Sequence, residues 1–151
     1  MVIVAGFILF LFLGAGVWLI FTIDDWSRDL TTNYATTSSA AKNPSLRPIE
    51  AELPPAELAK LTIAAAREIP GWQFKSQQDS SDEIRLHFVR TTKLMRFKDD
   101  ITVRIRPVSG EGRQPRCEIS AESQSRLGKG DLGQNPRNLR ELMDKLRIVL
   151  Q

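Results

Sequence analysis

EIRLHFVRTT, residues 83–92, decides the fold. Ile84, Leu86 and Phe88 alternate with Arg85 and His87, and strict period-two alternation marks a strand with one buried face. DDITVRIRP, residues 99–107, repeats the pattern with Ile101, Val103 and Ile105 inward and Thr102, Arg104 and Arg106 outward. CEISAES, residues 117–123, sets Cys117, Ile119 and Ala121 against Glu118, Ser120 and Glu122. WQFK, residues 72–75, is a shorter candidate of the same kind. The stretches DSSD and SGEGRQP have the polar, turn-forming composition of hairpin connections. About four antiparallel strands follow, with an apolar face that needs a cover.

Two helices supply it. Pro54 and Pro55 suit a helix start, where a missing N–H costs nothing. Leu58, Leu61, Ala65 and Ile69 then share one helical face, and Pro70-Gly71 ends the run. At the other end of the domain, Asn135-Pro136 reads as N-cap and first helical residue. Leu139, Leu142, Met143, Leu146, Val149 and Leu150 form one stripe at helical spacing. The order helix, strands, helix predicts an α+β domain over residues 53–151, with both amphipathic helices on one face of the sheet.

Upstream, MVIVAGFILFLFLGAGVWLIFTI, residues 1–23, carries no charged side chain. That length is enough to cross the hydrocarbon core, so a transmembrane helix is expected there. A cleaved signal peptide would carry a basic n-region, and no Lys or Arg precedes Arg28. The expected protein is therefore a single-pass membrane protein, in contact with the lipid bilayer through residues 1–23. Only Arg28 and Lys42 follow the span within its next twenty residues, which favours an extracytoplasmic soluble domain. Residues 24–52 include TTNYATTSSAAKNPS, without an apolar period, and read as a flexible tether.

Charge and chemistry-bearing residues narrow the function classes. Residues 61–151 hold seventeen basic against twelve acidic side chains, a modest excess that suits an acidic ligand or a headgroup surface. The outward strand positions Arg85, His87, Arg104 and Arg106 lack the stacking aromatics of a nucleic-acid reader, so no nucleic-acid partner is expected. They compete with simple ion pairing to Glu118 and Glu122 across strands. His87 and Cys117 are the only residues of their types and have opposite strand parity. They supply neither a zinc site nor a Cys-His pair, and no cofactor is implied. Asp99 and Asp100 are adjacent on an extended strand and point to opposite sides. A turn at the start of the strand explains them better than paired acid-base chemistry or a metal shared with Asp131.

SRLGKGDLGQNP, residues 125–136, is the remaining concentration of unusual residues. Gly128, Gly130 and Gly133 permit positive φ, and a helix N-terminus follows with its unpaired donors. Arg126 and Lys129 add charge suited to an anion, although the stretch is not a Walker A loop. Asp131 opposes an anion unless it turns inward, accepting backbone N–H groups of its own loop and pairing with Arg126. Two readings stand side by side: a corner that fixes the last strand to the last helix, and a ligand or anion site. The candidate binding residues are Arg126, Gly128, Lys129, Gly130, Asp131 and Asn135, and none is assigned a catalytic or metal-binding role.

SRLGKGDLGQNPRNLREL resembles the C-terminal signature of the DUF1499 family, a serine-arginine pair, a glycine, aspartate-leucine-glycine and an asparagine before a basic helix. Ser125, Arg126, Gly128, Asp131, Leu132, Gly133 and Asn135 fit that pattern, and Phe97, Asp99 and Asp100 resemble the family's aromatic and acidic-pair strand start. SAESQSR stands where many members carry a second arginine-serine pair. The resemblance covers roughly residues 50–150 and implies a fold, with little chemistry attached. The expected function is a membrane-anchored, non-enzymatic binding module for a protein partner or anionic ligand. The alternative is an enzyme acting at residues 125–135 on a small anionic or lipid-derived substrate.

Overall fold

A computed structural model describes residues 31–93, 95–108 and 115–151. Strands β3 (Trp72–Asp79), β4 (Ile84–Thr91), β5 (Lys98–Val108) and β6 (Arg116–Ser125) form an antiparallel meander. Helix α1 (Pro55–Arg67) precedes the meander and α2 (Gln134–Val149) follows it. Leu86, Phe88, Ile101, Val103, Ile105, Cys117, Ile119 and Ala121 are buried on the helix-covered face, as their alternation requires. Phe88 sits at its centre, edge-on to Trp72 at 5.8 Å and to Phe74 at 5.7 Å.

Among the described residues the sheet has six strands, two more than expected. Both additions come from residues 24–52. β1 (Tyr34–Thr36) and β2 (Ile49–Ala51) pair one after the other along the free edge of β6. Thr37 fills the gap between them: its N–H donates to the Ala121 carbonyl at 2.8 Å, and its hydroxyl accepts the Ala121 N–H at 2.9 Å. A short 3-10 turn, Pro44–Leu46, buries Leu46 against α2. Residues 34–51 are thus part of the domain rather than a tether, held by Ala35, Leu46 and Ile49 in the common core. Three-residue strands are too short to show alternation in sequence.

The helices carry two further corrections. On α1 it is Thr62, rather than Leu61, that is fully buried beside Leu58, Ala65 and Ala66. The α2 stripe buries Leu139, Leu142, Met143 and Leu146, while Val149 is exposed. Gly71 turns the chain from α1 into β3 at φ +85°, pressed against the Thr91 carbonyl. Among the described residues no helix is long and apolar enough to cross a membrane. Residues 1–23, where that helix is expected, lie outside the described residues.

Candidate functional site

At one end of the sheet the apolar core gives way to polar side chains. Asp99 is two residues before Ile101, so it shares that residue's inward parity and is only 1% exposed. Ser123 and Ser125 extend the inward row of β6 past Ala121. Asn135 and Asn138 lie three apart on α2, on the helix face that meets the sheet. All five are buried. Ser125 donates its hydroxyl to Asp99 at 2.7 Å, and the Asn138 amide donates to the second Asp99 oxygen at 2.9 Å. Asn135 bridges the two serines, accepting from Ser123 at 2.6 Å and donating to Ser125 at 3.1 Å. Arg90, inward on β4, donates to the side-chain amide oxygen of Asn138 and reaches the Glu141 carboxylate. The result is a polar layer joining three strands to the start of α2, with each carboxylate oxygen of Asp99 occupied.

This layer floors a cleft of about 420 Å³. One wall is the connection from β4 to β5, closed by Thr92 N–H donating to the Phe97 carbonyl and Phe97 N–H donating to the Thr92 hydroxyl, both at 2.9 Å. The opposite wall is the loop from β6 to α2, which contributes Leu127, Gly128, Gly130, Asp131 and Leu132. Asp99 and Ser125 reach the cleft from below. Met95, Phe97, Leu127 and Leu132 line it while remaining exposed, at 63%, 45%, 66% and 45%. Half of the large exposed apolar side chains among the described residues therefore surround this one opening.

The expected site residues separate. Asp131 accepts the Gly133 N–H at 2.9 Å and the Asn135 N–H at 2.8 Å, one on each oxygen. Its own carbonyl accepts the Gln134 N–H at 3.0 Å. Pro136 has no N–H, and Arg137 N–H bonds the Gly133 carbonyl. Every donor of the first turn of α2 is thereby accounted for. Arg126 does not pair with Asp131. It makes two 2.7 Å bonds to Asp100 on the open face, where Asp100 also contacts His87 at 3.1 Å. The Arg126 guanidinium holds the Asp100 carboxyl below the usual carboxylate range, and Asp100 in turn raises Arg126.

Asn135 is no cap. Gly133 occupies the N-cap position in the left-handed region, and Asn135 is buried two positions later, its amide donating to the Asn33 carbonyl at 2.7 Å. Gly128 and Gly133 adopt the positive φ expected of them, but the third left-handed residue is Leu132 rather than Gly130. Lys129 is exposed. The open face is cross-linked by charge. Arg104 bonds Glu122 at 2.8 Å, while Arg85 and Arg106 share Glu83. Cys117 lies in the core, where burial pushes its thiol up, on the opposite face from His87.

The sequence matches the family described as "Protein of unknown function (DUF1499)" over residues 25–146. This chain belongs to the DUF1499 family. The match begins at residue 25, upstream of the boundary expected at residue 53 and in keeping with β1 and β2 as parts of the fold. No curated protein and no solved structure gives a match. In this DUF1499 chain the polar layer of Asp99, Ser123, Asn138 and Arg90 was not anticipated from sequence. Its signal was parity: Asp99 continues the row of Ile101, Ser123 continues that of Ala121, and Asn138 follows Asn135 by three.

Proposed function

We propose that this protein is a membrane-anchored, non-enzymatic module that binds an amphipathic small molecule in the cleft between the β4–β5 connection and the start of α2. One observation carries the reading: four exposed apolar side chains surround a floor of buried polar side chains, within a volume typical of small-molecule sites. An apolar body would lie against Met95, Phe97, Leu127 and Leu132. Its polar end would meet the side where Asp99, Ser125 and Gln134 line the cleft. A simple anion is a poorer fit, because the first-turn donors of α2 already serve Asp131 and Gly133. Enzymatic use of the loop is also less supported, since both Asp131 oxygens are engaged and the only histidine belongs to the open face.

The anchor is residues 1–23, supported by their charge-free length, with the domain on the extracytoplasmic side. A photoreactive side chain at position 132 of the full chain, activated in intact membranes, tests the ligand. A discrete small-molecule adduct, absent when the probe is at Gln77 on β3 and reduced by Phe97→Asp, is the expected result. A protein adduct at 132 would favour the partner-binding form of the module. The same adduct at both positions, or none at 132, would overturn the cleft as the binding site.

A further inference from the structure

The cleft mouth has a second property besides its shape. The loops that form it carry Lys93, Arg96 and Lys129, all exposed. None of these three has an ion-pair partner among the described residues, whereas the acids nearest them in the chain are engaged. Asp99 is bonded within the floor, Asp100 holds Arg126, and Asp131 closes the helix start. The loops around the mouth therefore combine projecting apolar side chains with exposed cations, Arg96 and Lys129 beside the cleft and Lys93 toward the neighbouring hollow that holds Glu68 and Glu141.

Backbone geometry points to the same place. Arg96 at φ 58° and Leu132 at φ 52° are the non-glycine residues with positive φ among those described, and they stand in the two facing loops. Left-handed backbone is unfavourable for long side chains, and such strain collects where a side chain must be presented in one direction.

The chain path adds proximity. The Asn33 amide donates to the Gly128 carbonyl at 2.9 Å, and the Asn33 carbonyl accepts the Ser125 N–H at 2.9 Å. The polypeptide thus enters the domain at the cleft loop. Ten residues, 24–33, connect that point to the end of the charge-free segment, a reach of at most about 36 Å when fully extended. A surface so tethered to a bilayer meets it at high effective concentration.

We propose that the cleft mouth is a membrane-docking surface for anionic bilayers. Met95, Phe97, Leu127 and Leu132 enter the headgroup boundary, and the three basic side chains meet lipid phosphates, the division of labour of interfacial membrane binders. Docking turns the cleft toward the lipid, so that its amphipathic ligand is drawn from the membrane. This rests on the anchored-module reading, which the same experiment checks separately.

The full chain, in a Cys117→Ala background, is reconstituted in vesicles with a nitroxide at one of three positions: Leu11→Cys, Gln77→Cys or Leu127→Cys. Relaxation by oxygen, which concentrates in lipid, is compared with relaxation by a water-soluble nickel chelate. In phosphatidylcholine mixed with phosphatidylglycerol, the label at 127 is expected to read as lipid-contacting and that at 77 as aqueous. Removing phosphatidylglycerol, or substituting Lys93, Arg96 and Lys129 with Gln, should release the label at 127. The docked-to-undocked ratio should fall about fivefold for each basic residue removed. A label at 127 as water-exposed as that at 77, with the label at 11 embedded, overturns the docking surface alone. An aqueous label at 11 overturns the anchor. Undiminished embedding of 127 in phosphatidylcholine alone overturns the requirement for anionic lipid.

Discussion

Asp99 and Asp100 are neighbours in sequence and end on opposite faces of one sheet. Asp99 is enclosed under α2 with Ser125 and Asn138 on its two oxygens, while Asp100 faces out, gripped by Arg126. Strand alternation alone produces the division. It gives one carboxylate to the floor of the cleft and the other to the charged lattice of the open face.

Asp99→Ala should therefore be costly even though it removes only a small side chain. The Asn138 amide and the Ser125 hydroxyl would lose their acceptor in a buried setting, at about 1–3 kcal/mol for each group left unpaired. Asp99→Asn keeps one acceptor oxygen and should cost less. Urea unfolding of the two variants provides the comparison. Wild-type stability in Asp99→Ala would mean that the polar layer is not closed by this carboxylate.

Gly71→Ala should destabilise the protein through the backbone rather than the core. Its φ of +85° is strained for any residue with a Cβ, and that Cβ would fall 2.6 Å from the Thr91 carbonyl oxygen. The Thr91 N–H is bonded to the Gly71 carbonyl, so the neighbour cannot withdraw without breaking the β3–β4 register. Left-handed strain alone costs about 1–3 kcal/mol, and the contact adds to it. A change in melting temperature within error would count against a left-handed turn from α1 into β3.

The open face predicts a pH dependence. Burial pulls the Glu122 carboxyl upward, but hydrogen bonds from Arg104 and Tyr34 outweigh it and leave the group below the usual glutamate range. A depressed folded-state value contributes stability above the unfolded value, about pH 4.3, and that contribution disappears as pH falls through the folded value. Arg104→Gln removes the strongest opposing bond, so Glu122 should titrate at higher pH in the folded variant. The wild-type advantage over Arg104→Gln should be full at pH 7 and shrink below about pH 4.3. Melting temperatures from pH 3 to pH 7 test this, and a constant difference across the range would refute it.

The parts of the fold that were legible share a physical property: each buries one regular face. Ile84 to Phe88, Ile101 to Ile105 and Cys117 to Ala121 show period two because the helices cover only one side of the sheet. Leu139 to Leu146 shows helical spacing for the complementary reason. β1 and β2 were illegible because Ala35 and Ile49 each contribute a single buried position, and a long-range partner, β6, defines them. The polar layer was hidden differently. Asp99, Ser123 and Asn138 keep the correct parity but are polar, so a search for apolar alternation passes over them.

The loop at 125–133 separates a structural carboxylate from an exposed cation within three residues. Asp131 closes the start of α2 by accepting the Gly133 and Asn135 N–H groups, and it does so beside Leu132 and Gly133, both in left-handed backbone. Asp131→Asn leaves one acceptor oxygen and removes the charge that favours a helix N-terminus. Stability should fall by about 1–3 kcal/mol, the range for a charged hydrogen bond. Lys129→Ala should change stability hardly at all, since its side chain is exposed and has no ion-pair partner among the described residues. The two variants should exchange order when attachment of the 127 label to anionic vesicles is measured. Lys129→Ala should weaken docking about fivefold, while Asp131→Asn, once refolded below its lowered melting temperature, should leave it intact. An Asp131→Asn protein as stable as wild type would mean that the carboxylate does not hold the corner. A Lys129→Ala protein with unchanged docking would remove Lys129 from the membrane surface.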